Sequence, residues 1–575
     1  MELLPLHLLS FPGALRRSRE LLRPLWEQFA HLRDLQQLYE QCRHQNGLAF
    51  VAQLLQQLGI TVQYDVNELR RLPAGAFVAV ANHPCGLIDG MVLLHVLGQA
   101  RPELKAVANE LLAPLLPHLV SQVVLVNPER AAASRNVPGV RQLLRYLHND
   151  VPLLLFPAGE VAHSTIPFRP AIDSAWSPTA GRLLDAARVP VVPVWLSGQN
   201  SAGFSFLGFV HPLLRTARLP AELLDKRGQT IQVRIGLPVA PVVLDRLPAA
   251  DRLAYLRARV YALGTSVERY LAAMLPPLPV PLVIAETPSV LIEADIAALR
   301  PGRCLLVSRR WEVYVAKRCE IPNVLREIGR LRELTFRREG EGTQQPADLD
   351  AYDEYYRHLF LYDREKQLLV GAYRIGLGKA ILRQHGRRGF YLHSLFRLKK
   401  DLNPMLRQSL ELGRSFVRVE YQRQALPLSL LWKGIAEYLA MHPEYRYLIG
   451  PVSVSNRFSD VSKAVMVEYL TRHFFDAELA QHVKPRKQFR YKPLDTSEGP
   501  ALLQTGLSSL QDLQQFISGL EPGGSGVPVL LRQYLKQNAR LLGFNLDPNF
   551  SNALDGLLLL DARELPARTH RLLDK

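Results

Sequence analysis

Between residues 74 and 240, short apolar runs alternate with stretches that have helical spacing. The candidate strands are 76–81, 121–126, 151–156, 189–196 and 230–235. Strands separated by helical patterns predict an α/β layer architecture. Before this region, residues 15–60 are Leu-rich and charged, and Leu32, Leu35, Leu38 and Tyr39 recur at helical spacing. Leading amphipathic helices are expected there. Helical patterning runs to Leu275 and stops at Pro276-Pro277-Leu278-Pro279-Val280-Pro281, a stiff connector. The expected domains are therefore 1–275 and 290–575, joined by a proline-rich linker at 276–289. A further break falls at Glu521-Pro522-Gly523-Gly524-Ser525-Gly526.

The 575 residues are 48% hydrophobic, enough for packed cores, and carry a formal net charge of +17. The excess of Lys and Arg suits an anionic membrane surface or an acidic carrier protein. Nucleic acid is disfavoured, because the basic residues are spread out and no zinc-finger spacing, RNP-like motif or basic-region helix occurs. Cys42, Cys85, Cys304 and Cys319 form no C-x-x-C pair, so neither a disulfide framework nor a metal site is expected. The first residues lack a basic n-region, and no uncharged apolar run approaches ~18 residues. A cytoplasmic protein lying on the inner face of the membrane, with no signal peptide and no transmembrane helix, is expected.

The apolar run Ala76–Ala81 leads directly into Asn82-His83-Pro84-Cys85-Gly86-Leu87-Ile88-Asp89-Gly90. A His and an Asp on a Pro/Gly turn can form a general base, with the Asp fixing the imidazole tautomer. The turn-formers keep the segment from being helical, so His83 and Asp89 can meet. The same residues also fit a plain helix N-cap beside a loop histidine. No Ser or Cys lies in a nucleophile-elbow pattern nearby, so direct transfer to a bound hydroxyl is the simplest chemistry.

Later segments extend the pattern: Val123–Val126 followed by Asn127-Pro128-Glu129-Arg130, then Leu153-Leu154-Leu155-Phe156-Pro157-Ala158-Gly159-Glu160, then Val189-Pro190-Val191-Val192-Pro193-Val194. The proline at 193 suggests an edge or turn position. In order and spacing, residues 70–240 resemble the glycerolipid (lysophosphatidate-acyltransferase-like) acyltransferase family. The resemblance implies that His83 is the base, Asp89 its partner and Arg130 a contact for an anionic group. Gly159, Glu160 and Pro193 would shape the acceptor pocket. Five residues rather than four separate His83 from Asp89, and Ala158 replaces the family's Glu. The Asn-His-Pro-x-Gly-x-x-Asp-Gly form looks more like the branch fused to ornithine-lipid-type synthases.

In the second half, Val324, Leu325, Ile328, Leu331 and Phe336 mark one face of a helix ending at Arg337-Arg338-Glu339-Gly340. Leu359–Lys366 and Leu368–Arg374 read as a hairpin around a charged turn. The strand Leu410–Val417 follows, then a helix through Leu430–Ile435, then the strand Tyr447–Ser455. This order resembles a GNAT-like mixed α/β fold, closest to acyl-homoserine-lactone synthases and ornithine-lipid N-acyltransferases. It implies Glu411 and Arg414 as organisers of the site, with Arg332 and Asp363 as further candidates. Glu411 and Arg414 also fit an ordinary strand ion pair. No Arg/Gln-x-x-Gly-x-Gly/Ala loop for a CoA pyrophosphate stands at the expected turn. That favours acyl carrier protein as donor substrate, with acyl-CoA possible and no other cofactor.

Together the resemblances imply a bifunctional acyltransferase of the ornithine-lipid synthase type. One domain would N-acylate an amino acid such as ornithine or glycine with a 3-hydroxyacyl group. The other would O-acylate the 3-hydroxyl with His83 as base. The alternative is a lysophospholipid (1-acylglycerol-3-phosphate) acyltransferase with a recruiting C-terminal domain.

Overall fold

The computed structural model describes residues 32–110, 117–126, 137–162, 172–201, 204, 221–274, 280–300, 302–491 and 499–566. Two compact units emerge: Met1–Val267 with Pro493–Ser508, and Glu268–Lys492 with Ser509–Lys575. Residues 275–279, which hold most of the expected linker's prolines, lie outside the described residues.

The first unit is built on a seven-stranded sheet: β1 (Thr61–Gln63), β2 (Val78–Ala81), β3 (Lys105–Asn109), β4 (Val123–Val126), β5 (Leu153–Leu155), β6 (Val191–Leu196) and β7 (Thr230–Ile235), in the order β1-β7-β6-β2-β5-β3-β4. All pairs are parallel except β6 with β7. β2 is central and buried on both sides. Phe77, Ala79 and Ala81 join one apolar cluster, and Ala76, Val78 and Val80 join another. That two-sided burial is why parallel strands read as unbroken apolar runs. Among the expected leading helices, Leu32–Cys42 and Gly47–Gln57 are described and pack on one of these faces.

Pro193 corrects an expectation: it lies in an interior strand, opposite Val80 of β2, and not at an edge or turn. Its missing N–H falls where the β6–β7 ladder breaks. Val194 pairs with Ile235 and Val191 bridges Val239, so the chain between bows outward and no donor is needed from residue 193.

The second unit holds β8 (Cys304–Ser308), β9 (Trp311–Lys317), β10 (Arg357–Asp363), β11 (Leu368–Leu377), β12 (Phe396–Leu398), β13 (Ser409–Val417), β14 (Tyr447–Val454), β15 (Val483–Pro485), β16 (Arg540–Asp547) and β17 (Ala553–Asp561). Eight of them form a sheet in the order β16-β17-β14-β13-β11-β10-β9-β8, while β12 and β15 pair separately. The hairpin expected around Asp363–Lys366 is β10–β11. Helix Pro322–Arg338 packs on one face, against Phe360, Ala372 and Phe416. Helix Ala425–Met441 lies on the other, with Gly434 over Val313 and Leu359.

The decisive irregularity is between β13 and β14, the one parallel pair of the larger sheet among the described residues. They pair only at Ser409–Glu411 with Tyr447–Ile449. β13 then continues along β11 to Val417, and β14 along β17 to Val454, so the two strands part. Gly450 stands at the point of parting. A Cβ there would meet the Leu412 carbonyl oxygen at 2.1 Å, whereas one at Gly413 would meet nothing within 4 Å. Gly450→Ala is expected to cost ~1–3 kcal/mol in chemical denaturation, the usual range for overpacking, and Gly413→Ala much less.

Candidate functional site

In the first unit, β2 ends at Ala81 and the chain turns into helix Leu87–Leu97. Two hydrogen bonds of Asn82, to the carbonyl (2.9 Å) and from the N–H (2.8 Å) of Leu196, fasten this turn to β6. Gly86 takes φ of 88°, a left-handed conformation that other residues adopt only with strain. This places Asp89 one turn into the helix, fully buried, with its Oδ2 2.9 Å from His83 Nδ1. The same oxygen accepts the N–H groups of Cys85 (2.8 Å) and Gly86 (2.9 Å). One carboxylate therefore does both things the sequence left open: it caps the helix and orients the histidine.

His83 remains partly open to solvent, at 18% for the side chain, and its ring stacks on Phe156 at 4.2 Å. Its backbone is pinned by Asp173, which accepts the His83 N–H at 3.0 Å, and by the Ala162 N–H on its carbonyl at 2.8 Å. Burial pushes the Asp173 carboxyl up, opposed by the His83 N–H. With Nδ1 committed to Asp89, Nε2 is the nitrogen left to take a proton from a hydroxyl.

Gly159 and Glu160 follow β5 on the same side as Phe156, and Glu160 accepts the Ser174 hydroxyl at 2.5 Å. Pro193 contributes to the central strands as described above. Arg130 lies outside the described residues.

In the second unit, the parting of β13 and β14 opens a cavity of about 1350 Å³. Ser415, Phe416 and Val417 line it from β13, and Pro451, Val452 and Ser453 from β14. Leu428, Trp432 and Leu439 of helix Ala425–Met441, with Val527 and Leu530, give it a deep apolar side. Arg414 reaches it from a bulge, where Ala372 pairs with Phe416 but Arg374 with Gly413. At this bulge, where Arg414 and Ser415 stand against Tyr373 alone, Arg414 has a φ of 48°.

Arg414 is held by an ion pair to Asp348 Oδ2 (3.1 Å) and by stacking on Tyr391 (5.0 Å) and Phe550 (4.7 Å). Behind it, Arg374 pairs with Asp350 (2.6 Å) and Asp353 (3.4 Å), and Arg332 with Asp353 (3.0 Å). Arg332 and Arg374 are buried to 1% exposure or less. Arg332 thus supports the site from behind and does not line it.

Glu411 and Arg414, expected to act together, do not meet. Glu411 faces away from the cavity, accepting the Tyr356 hydroxyl (2.5 Å) and the Leu392 N–H (2.7 Å). Burial pushes it up to about 7, against the pull of those two donors. Asp363 sits at the β10–β11 turn, accepting the Lys366 N–H and the Tyr421 hydroxyl, apart from the cavity lining.

Two acids that the sequence reading passed over do line the cavity. Glu341 accepts the Ser453 hydroxyl at 2.9 Å, and burial raises its carboxyl to about 7. Asp555 on β17 is pushed well above the carboxylate range by burial and by its neighbours Asp547 and Glu341. Tyr391, which donates to Asp547 at 3.2 Å, completes the polar wall. The available signal for Glu341 was the Gly340-Glu341-Gly342 turn closing the Pro322–Arg338 helix.

Comparison with known proteins agrees with this division. A family model described as an acyltransferase matches residues 21–269, and one described as an acetyltransferase (GNAT) domain matches residues 331–433. A glycine N(alpha)-acyltransferase of Phocaeicola vulgatus is 27% identical over 270 residues, spanning 44% of this chain and 81% of that protein. One of Bacteroides thetaiotaomicron is 26% identical over 277 residues, spanning 44% and 78%. Among solved structures, the 1-acyl-sn-glycerophosphate (LPA) acyltransferase PlsC of Thermotoga maritima aligns over 46% of this chain and 100% of its own. Its identity is 16% and its TM-score 0.26, too low to bear on the fold.

The chain is therefore an acyltransferase. More specifically, it fuses an acyltransferase domain to a following GNAT domain, and its curated relatives are N-acyltransferases. No helix among the described residues is long and apolar enough to cross a membrane.

The buried ion network behind Arg414 can be tested for its contribution to stability. Arg332→Met leaves Asp353 short of a partner in a dry interior and is expected to cost ~3–5 kcal/mol, read by urea denaturation.

Proposed function

We propose that the chain makes an acyloxyacyl amino-acid lipid by two successive acyl transfers. In the GNAT unit, the α-amine of an amino acid such as glycine or ornithine attacks a 3-hydroxyacyl thioester. The C–N bond forms, the C–S bond breaks, and the thiol of the donor leaves. The 1350 Å³ cavity suits this, since its apolar side fits a fatty chain and its polar wall fits an amino acid. Arg414 would hold the substrate carboxylate, and Glu341 would take the ammonium proton before attack.

The acyltransferase unit then acylates the new 3-hydroxyl. His83 Nε2 removes the hydroxyl proton as oxygen attacks a second thioester, and the proton passes to the departing thiolate. Asp89 steadies the imidazolium, and no covalent enzyme intermediate is required. The observation that carries this reading is the His83–Asp89 contact of 2.9 Å, in a motif whose one thiol, Cys85, is buried and held protonated by that burial, in the same chain as the split-sheet cavity. The glycine N(alpha)-acyltransferase relatives support the amide-forming half. Acyl carrier protein is the donor this reading favours, with the basic chain meeting an acidic carrier at an anionic membrane surface.

Lipid mass spectrometry on a host without aminolipids provides the test. The wild-type chain should yield a two-chain aminolipid, and His83→Ala should accumulate the one-chain amide with a free 3-hydroxyl. The O-acylation rate should fall ~10²–10⁴-fold. If both proteins are present and neither makes an aminolipid, the reading fails and a lysophospholipid acceptor takes precedence.

A second measurement isolates Glu341. As a base raised to about 7, it must lose its proton to act, so kcat/KM for amide formation should rise with pH up to about 7 and then level. Glu341→Gln should lower that rate constant ~10²-fold or more and abolish the pH-dependent limb. An unchanged pH profile in Glu341→Gln would assign the proton transfer elsewhere.

A further inference from the structure

The second unit has another recess, of about 460 Å³, lined by His385, Arg387, Arg388, His393, Arg397 and Arg486 around Gly386. Four guanidiniums and two imidazoles converge there without a carboxylate in the lining. Among the described residues, none of the four arginines is in an ion pair. Two are held instead by neutral acceptors. Arg387 donates to the Leu398 carbonyl at 2.6 Å and Arg486 to the His393 carbonyl at 2.8 Å. These bonds aim the guanidiniums without cancelling their charge. A further nitrogen of Arg486 lies 3.0 Å from His393 Nδ1. Burial, with Arg486, Arg387 and Arg388 nearby, holds His393 below the usual histidine range.

An independent observation comes from the β12–β15 ribbon. Arg397 stands directly opposite Lys484, and both are exposed. Like charges in that register repel and weaken a ribbon, and this one is only three residues long on each side. The recess walls are nonetheless firmly built. The Tyr355 ring stacks on His385 at 4.3 Å, and its hydroxyl donates to the Gly389 carbonyl at 2.7 Å. A set of guanidinium forks with no carboxylate partner among the described residues, two of them fixed by backbone carbonyls, is suited to an anion that presents several oxygens and more than one negative charge.

We propose that this recess binds a phosphate group, supplied either by the headgroup of an anionic phospholipid or by a soluble phosphoester. The site is separate from the residues assigned to either acyl transfer, so it stands or falls independently of the proposed function.

The test is calorimetric titration of the full chain with pyrophosphate, comparing wild type with Arg388→Ala/Arg397→Ala. Both side chains are exposed, and neither makes a structural hydrogen bond among those described, so the double variant should fold. Its thermal midpoint without ligand should match or exceed that of wild type, since the repulsion on Lys484 is relieved. Wild type should bind pyrophosphate and gain thermal stability, and the double variant should bind at least tenfold more weakly. A parallel arm measures sedimentation with vesicles of phosphatidylglycerol and phosphatidylcholine. Loss of vesicle binding in the variant assigns the phosphate to lipid. Retained vesicle binding with lost pyrophosphate binding assigns it to a soluble ligand. The proposal is overturned if wild type does not bind pyrophosphate, or if the folded double variant binds it as tightly.

Discussion

The GNAT unit depends on two parallel strands that are allowed only three residues of company. Where β13 and β14 pair, the sheet is continuous; where they part, each keeps a partner on its outer side, β11 or β17. The backbone groups facing the gap become available to whatever enters it, and the side chains beyond the fork become walls of a cavity. An open fork in a sheet is costly unless something rigid keeps it open. On the β13 side it is braced by a largely buried set, Arg332, Arg374 and Arg414 with Asp348, Asp353 and the part-exposed Asp350. Its charges balance three against three. Replacing one member leaves a buried charge, so the network is intolerant of piecemeal change.

The acyltransferase unit solves a different problem with fewer parts. His83, proposed as its base, lies at the carboxyl end of the central strand, the position where open α/β sheets present ligands. His83 is constrained by Asp89 on Nδ1, by Asp173 and the Ala162 N–H on its backbone, and by the Phe156 ring, which suits a group that must point one nitrogen outward and keep the other fixed. The two units thus show contrasting ways to preorganise polar groups: a distributed ion network in one, and a compact turn in the other.

Legibility followed sequence distance. His83 and Asp89 lie on one turn, and Pro84 and Gly86 between them announce that turn, so their contact was readable. The central strands were readable because burial on both faces makes them continuous apolar runs. β1, Thr61–Gln63, is short and partly exposed, and β3, Lys105–Asn109, buries only Ala106 fully; neither stands out as an apolar run. Glu411 and Arg414 looked like a pair because they are three apart. On a strand, though, alternation sends residues three apart to opposite faces, so the spacing that suits a helix separates them on β13. Glu341, Tyr391 and Asp555 come from three distant segments and become neighbours only once the sheet is assembled.

The shared duty of Asp89 has a consequence for how the enzyme fails. The oxygen that orients His83 is also the one that secures the start of the Leu87–Leu97 helix through Cys85 and Gly86. If the first turn of that helix frays, the imidazole loses its tether in the same event. Under the proposed mechanism, a partly opened unit therefore has no aligned base with which to activate stray water against an acyl thioester. Local unfolding disarms the site instead of making it leaky, and donor hydrolysis should be suppressed whenever the acceptor side of the fold is not intact.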